Sequence, residues 1–110
     1  MSGWIGVDLD GTLARYDGWK GITHIGEPVP AMLERVKGWI REGREVKIFT
    51  ARASVPDDML KSVTDPINEW CEVHGLPRLE VTCKKDFGMI SLYDDRCFQV
   101  EMNTGRVIGE

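Results

Sequence analysis

Trp4-Ile5-Gly6-Val7-Asp8-Leu9-Asp10-Gly11-Thr12 is the stretch that decides what kind of chain this is. Residues 4–8 are a short apolar run closing on a carboxylate, the pattern of a buried strand that ends near Asp8. In extended chain, residues i and i+2 point the same way, so Asp8 and Asp10 converge at one strand end. Gly11 permits the abrupt turn that follows. Two carboxylates held that close either share a proton or bind a cation. Asp and Gly also dominate ordinary surface turns, so the pentapeptide from Asp8 to Thr12 does not settle the matter alone. A calcium loop is excluded, because the register that starts at Asp8 puts Trp19 where the twelfth-position Glu is needed.

Working outward, residues 11–28 hold four glycines (Gly11, Gly18, Gly21, Gly26) and Pro28, so they read as an irregular loop with a small hairpin around residues 16–19. Residues 29–42 form the clearest helix. Val29, Met32, Leu33, Val36, Trp39 and Ile40 fall on one stripe, Pro30 suits the first turn and Gly43 the exit. Residues 45–50 alternate and carry β-branched and aromatic side chains, a second strand. Residues 57–74 are helical, and Asp65-Pro66 reads as an N-cap and first residue that split them into two helices. Residues 79–82 and 89–93 are a third and a fourth strand. Residues 98–102 and 106–108 suggest a last pair around Asn103-Thr104-Gly105.

Strands and helices that alternate at this spacing predict a mainly parallel sheet with helices on its faces, whose ligands bind beyond the carboxyl ends of the strands. The polar groups gather there: Asp8 and Asp10 after the first strand, Thr50 and Arg52 after the second, Lys84 and Lys85 after the third, Asp94 and Asp95 after the fourth. Two acidic pairs at neighbouring strand ends repel unless a metal or cationic groups offset them. All-oxygen ligation points to magnesium. A threonine hydroxyl and a lysine beside a magnesium-bound carboxylate make a pocket for a phosphoryl group.

Composition sets the frame. The 110 residues are 42% hydrophobic and 29% charged, enough for one globular domain and too few for two. A net charge of −4 lacks the basic footprint of general nucleic-acid binding. Cys71, Cys83 and Cys97 form no Cys-x-x-Cys pair and read as reduced thiols. No signal-like segment and no run of 18 apolar residues occurs, so no membrane partner and a cytoplasmic setting are expected. His74 reads as a helix C-terminal residue, and His24 as a loop residue near the site.

Taken together, these motifs resemble the haloacid dehalogenase superfamily of phosphohydrolases. Asp8-Leu9-Asp10-Gly11-Thr12 is similar to its first signature, Phe49-Thr50-Ala51-Arg52 to the second, Lys84 or Lys85 to the third, and Tyr93-Asp94-Asp95 to the acidic fourth. They occur in the family's order over residues 4–95. The resemblance implies a three-layer α/β/α, Rossmann-like domain spanning residues 1–110. It also implies a magnesium-dependent phosphatase. Asp8 would be the nucleophile that forms an aspartyl-phosphate, and Asp10 the general acid and base. Magnesium would be held by Asp8, the Asp10 backbone carbonyl and a carboxylate from Asp94 or Asp95. Thr50, Arg52 and a lysine, with Lys85 preferred as the residue leading into the turn before the fourth strand, would bind the phosphate. Only 37 residues separate Thr12 from Thr50 and six separate Thr82 from Met89, so no cap domain fits. The substrate is then a small phosphomonoester or the phosphorylated end of a macromolecule, with an oligomer left open. Tyr16 and Trp19 either stack on a base or sugar or pack the loop down. The competing class is a binding or regulatory module that keeps the fold without turnover. Retention of both Asp8 and Asp10 favours the enzyme.

Overall fold

Four short parallel strands carry the site. The computed structural model describes residues 3–109; Met1, Ser2 and Glu110, the ends of the span assigned to one domain, lie outside the described residues. The strands are β1 (Trp4–Val7), β2 (Glu45–Phe49), β3 (Glu80–Thr82) and β4 (Met89–Tyr93), in the sheet order β3-β2-β1-β4. Every neighbouring pair is parallel, so all carboxyl ends lie along one edge. Ile5 and Val7 pair with Val46 and Ile48, which puts these four buried side chains on one face of the sheet. Between Trp4 and Ile5 the β1–β4 register slips by one residue, which leaves Ile90 as a bulge.

Helix α1 (Pro30–Arg41) runs between β1 and β2. Pro30 occupies its first turn, and Gly43 at φ +81° lets the Arg44 N–H reach back to the Trp39 carbonyl at 3.0 Å. Helix α2 (Leu60–Val73) connects β2 to β3 after two short 3₁₀ turns at Ala51–Ala53 and Asp57–Met59. The expected division of this segment at Asp65-Pro66 does not occur: Pro66 lies inside one continuous helix. Val63, Ile67, Trp70 and Cys71 form a single buried stripe across the proline. Burying each such side chain stabilises by about 1.5–3 kcal/mol, which together outweighs the roughly 3 kcal/mol that an interior proline costs. Asp65 caps nothing; its carboxylate reaches Lys61 at 2.7 Å on the helix surface.

The alternating parallel α/β order is as expected, but the described residues do not place helices on both faces of the sheet, as a three-layer α/β/α arrangement would. Both crossovers step in the same direction along the sheet, and right-handed connections then put α1 and α2 on the same face. One core holds Val36 and Trp39 of α1, Ile67 and Trp70 of α2, and the Ile5, Val7, Val46 and Ile48 side chains. Among the described residues no helix lies over the other face. Trp4 covers it, with the Lys47 ammonium 4.6 Å from its ring centroid. Residues 83–88 cross there from one edge of the sheet to the other, pinned by a 2.9 Å bond from the Trp4 indole N–H to Asp86.

The loops also depart from expectation. No hairpin forms at residues 16–19; the loop is closed at its base, where Ala14 bridges Pro28 and the Arg15 N–H donates to Glu27 at 2.8 Å. Residues 98–108 turn at Asn103 but pair through one bridge, Val100 to Val107, and form no strands. Phe98 and Met102 stay exposed, and a two-stranded hairpin without a packing surface is marginal.

Candidate active site

After Val7 the chain continues the ladder for one residue, the Asp8 N–H donating to Tyr93 at 2.9 Å. It then closes on itself. The Leu9 carbonyl accepts from the N–H groups of Thr12, Leu13 and Ala14, and both leucines are fully buried. With Leu9 and Leu13 anchored in the core, Asp8 and Asp10 face away from it at the carboxyl edge, as the i, i+2 spacing requires. Gly11 has φ +94°, and a Cβ there would lie 2.7–2.9 Å from the Asp95 carboxylate, so only glycine fits the turn.

The oxygens of Asp8, Asp94 and Asp95 lie within 4.8 Å of one another. On an extended chain two successive side chains would diverge, and one of Asp94 and Asp95 would miss the cluster. The chain turns at this point instead: the Arg96 N–H donates to the Asp94 carboxylate at 2.8 Å, and both acids converge on Asp8. Thr12 links them. Its hydroxyl is 3.3 Å from Asp8 and 3.0 Å from Asp95, serving one at a time, and accepts from the Asp95 N–H at 2.9 Å. Burial, then the charges of Asp94 and Asp95, push the Asp8 carboxyl up to about 7. A crowded set of three carboxylates is the donor chemistry that suits a hard divalent cation such as magnesium.

Thr50 ends β2, buried, and its Oγ accepts the Arg52 N–H at 3.1 Å, which leaves the hydroxyl proton free to donate. Arg52 does not stand free for phosphate. Its Nε and Nη2 make two 2.8 Å bonds to the two oxygens of Asp10, and Nη2 and Nη1 also reach the His24 and Ile22 carbonyls at 3.0 and 3.4 Å. It therefore clamps Asp10 and ties the 13–28 loop to the sheet edge. His24 contributes a backbone carbonyl to this clamp.

Asp8, Asp10, Thr50, Arg52, Asp94 and Asp95 all line one cavity of about 940 Å³. Lys84 and Lys85 do not line it; both are exposed. The physical reason is the crossing of residues 83–88. Six residues must run from the carboxyl end of β3 to the amino end of β4, so the chain leaves the site edge at once. Among the lining residues that escaped the sequence-based expectation are Cys83, directly after β3, and Arg96, two residues past Asp94. The signal for Arg96 was its place just beyond the fourth strand.

A small parallel α/β domain with an acidic cluster at its strand ends is thus defined. No family model matches the chain, and no curated protein does. Among solved structures, a conserved protein from Bacteroides thetaiotaomicron superposes with a TM-score of 0.58 at 21% sequence identity, over 88% of this chain and 78% of that one. The likeness is one of fold.

Proposed function

We propose that this chain is a magnesium-dependent phosphomonoester hydrolase of the haloacid dehalogenase type, acting through an aspartyl-phosphate on Asp8. The observation that carries this reading is the convergence of Asp94 and Asp95 on Asp8 beside the buried Thr50 hydroxyl, in one cavity. An Asp8 oxygen attacks phosphorus, and the bond from phosphorus to the ester oxygen breaks. The leaving alkoxide takes a proton from Asp10. A water then attacks the aspartyl-phosphate, gives its proton to Asp10, and releases inorganic phosphate and the Asp8 carboxylate. Splitting the displacement in two is the gain of covalent catalysis. Thr50 donates to a phosphoryl oxygen. Asp8, Asp94, Asp95 and the Asp10 carbonyl would hold magnesium, which supplies positive charge against the approach of two anions. Both Asp10 oxygens accept from Arg52, so one of them must leave that contact, turn into the cavity and carry the proton before it can give it to the leaving oxygen.

A binding module without turnover is the second reading. It is favoured by the Arg52 clamp on Asp10 and by the absence of both lysines from the cavity wall. Hydrolysis of p-nitrophenyl phosphate separates the two. The enzyme reading expects turnover that needs magnesium, stops in chelator and falls on the order of 10³-fold or more in Asp8→Asn, whose fold persists by circular dichroism. Magnesium binding by the wild type without turnover selects the module. Wild-type turnover by the variant removes Asp8 from the nucleophile role.

A further inference from the structure

We infer that the cavity takes a small phosphomonoester whose alcohol carries a flat apolar ring, rather than the phosphorylated end of a macromolecule. The inference rests on the phosphatase reading for the reaction, but its test reads binding. Exposed apolar side chains scattered singly need no explanation, whereas several gathered in one concavity mark a binding surface. Tyr16, Trp19, Ile22 and Met59 are 38–56% exposed, and all four line the cavity that holds Asp8 and Thr50. They come from two segments, the 13–28 loop and the 3₁₀ turn ahead of α2, so the wall is assembled by the fold.

Trp19 is already fixed. The Arg52 guanidinium lies 4.8 Å from its ring centroid and is itself held by Asp10 and two loop carbonyls. A pre-set aromatic surface lowers the ordering cost of stacking a ring on it. The volume agrees: about 940 Å³ lies near the top of the roughly 300–1,000 Å³ range of small-molecule pockets. A phosphoryl group alone leaves most of it empty.

Charge argues in the same direction. Two cationic side chains, Arg52 and Arg96, line the cavity, and Arg52 is paired with Asp10. Against them stand the carboxylates of Asp8, Asp94 and Asp95. A nucleic-acid backbone or polyphosphate needs a track of free Lys and Arg, which this wall does not offer. One phosphoryl group on an uncharged body matches it.

The test uses non-hydrolysable phosphonates and magnesium with the intact chain. Calorimetry compares 2-(1-naphthyl)ethylphosphonate with ethylphosphonate, which differ only in the ring. The naphthyl compound is expected to bind about tenfold tighter or more. In the double variant Tyr16→Ala, Trp19→Ala the ratio is expected to approach one. Equal affinities in the wild type, an unchanged ratio in a folded double variant, or tighter binding of a 5′-phosphorylated oligonucleotide than of the naphthyl compound each overturn the inference. Turnover of p-nitrophenyl phosphate, measured separately, decides the phosphatase reading whichever way the ratio falls.

Discussion

Arg52 holds more of the site together than any other side chain. Its side chain is 6% exposed, and four of its hydrogen bonds run to Asp10 and to the 13–28 loop. Its backbone N–H also orients the Thr50 hydroxyl. Replacing it leaves a largely buried carboxylate and two loop carbonyls without their donor. Arg52→Met is expected to destabilise the protein by about 2–4 kcal/mol, since breaking one side of a buried ion pair strands the other charge. The same variant should speed hydrogen exchange across residues 13–28 while leaving α1 protected. Urea denaturation and exchange mass spectrometry check both, and uniform loss of protection would mean that Arg52 supports the whole fold rather than the loop. That Asp8 and Asp10 share a side was legible from their spacing. The partner of Asp10 was not, because it depends on where the 3₁₀ turn that carries Arg52, 42 residues away in sequence, comes to rest.

At the scale of elements, α2 shows tertiary burial overriding local preference. Pro66 removes a donor from the middle of the helix, and the Ser62 carbonyl loses its usual partner. The helix persists because Val63, Ile67, Trp70 and Cys71 must all face one core. Pro66→Ala is expected to stabilise the protein by about 1–2 kcal/mol, the restored helix bond being partly offset by a freer unfolded chain. Thermal and urea melts check this, and a destabilised variant would mean that the proline shape itself is packed against the core. The third strand and its exit show the opposite case. Residues 80–82 pair as expected, but the path after them was set by topology, because the next strand lies across the sheet beside β1.

For the molecule as a whole, site charge and stability are coupled through Asp8. Its carboxyl is pushed from 3.8 in the free side chain to about 7 in the fold. Without metal, the native state therefore keeps a proton that the unfolded chain gives up between pH 3.8 and about 7. Stability contributed by Asp8 is present in full at the acid end of this window and is lost as pH rises through it. Asp8→Asn carries no such charge, so its stability advantage over wild type in chelator should grow across the window. By pH 8 it should reach about 2 kcal/mol, roughly half of an unscreened shift because the site is partly open to water. Millimolar magnesium at pH 8 should close the gap by stabilising the wild type alone. Urea denaturation of both proteins at pH 5 and 8 reads this; a difference that does not change with pH would show that Asp8 carries no such penalty.

By itself the sequence determined the four strands of the sheet, the helical stripes, the parallel α/β order and the strand-end placement of Asp8, Asp10, Thr50, Asp94 and Asp95. These follow from short-range periodicities of two and 3.6 residues, which act within one element. Only the tertiary structure decided that both helices share one face and that Pro66 stays within α2. It alone decided that Arg52 serves Asp10, that Lys85 leaves the site and that Arg96 enters it. Each of these depends on which segments meet across the sheet, and the free energy that settles such meetings comes from burial and pairing between residues far apart in the chain.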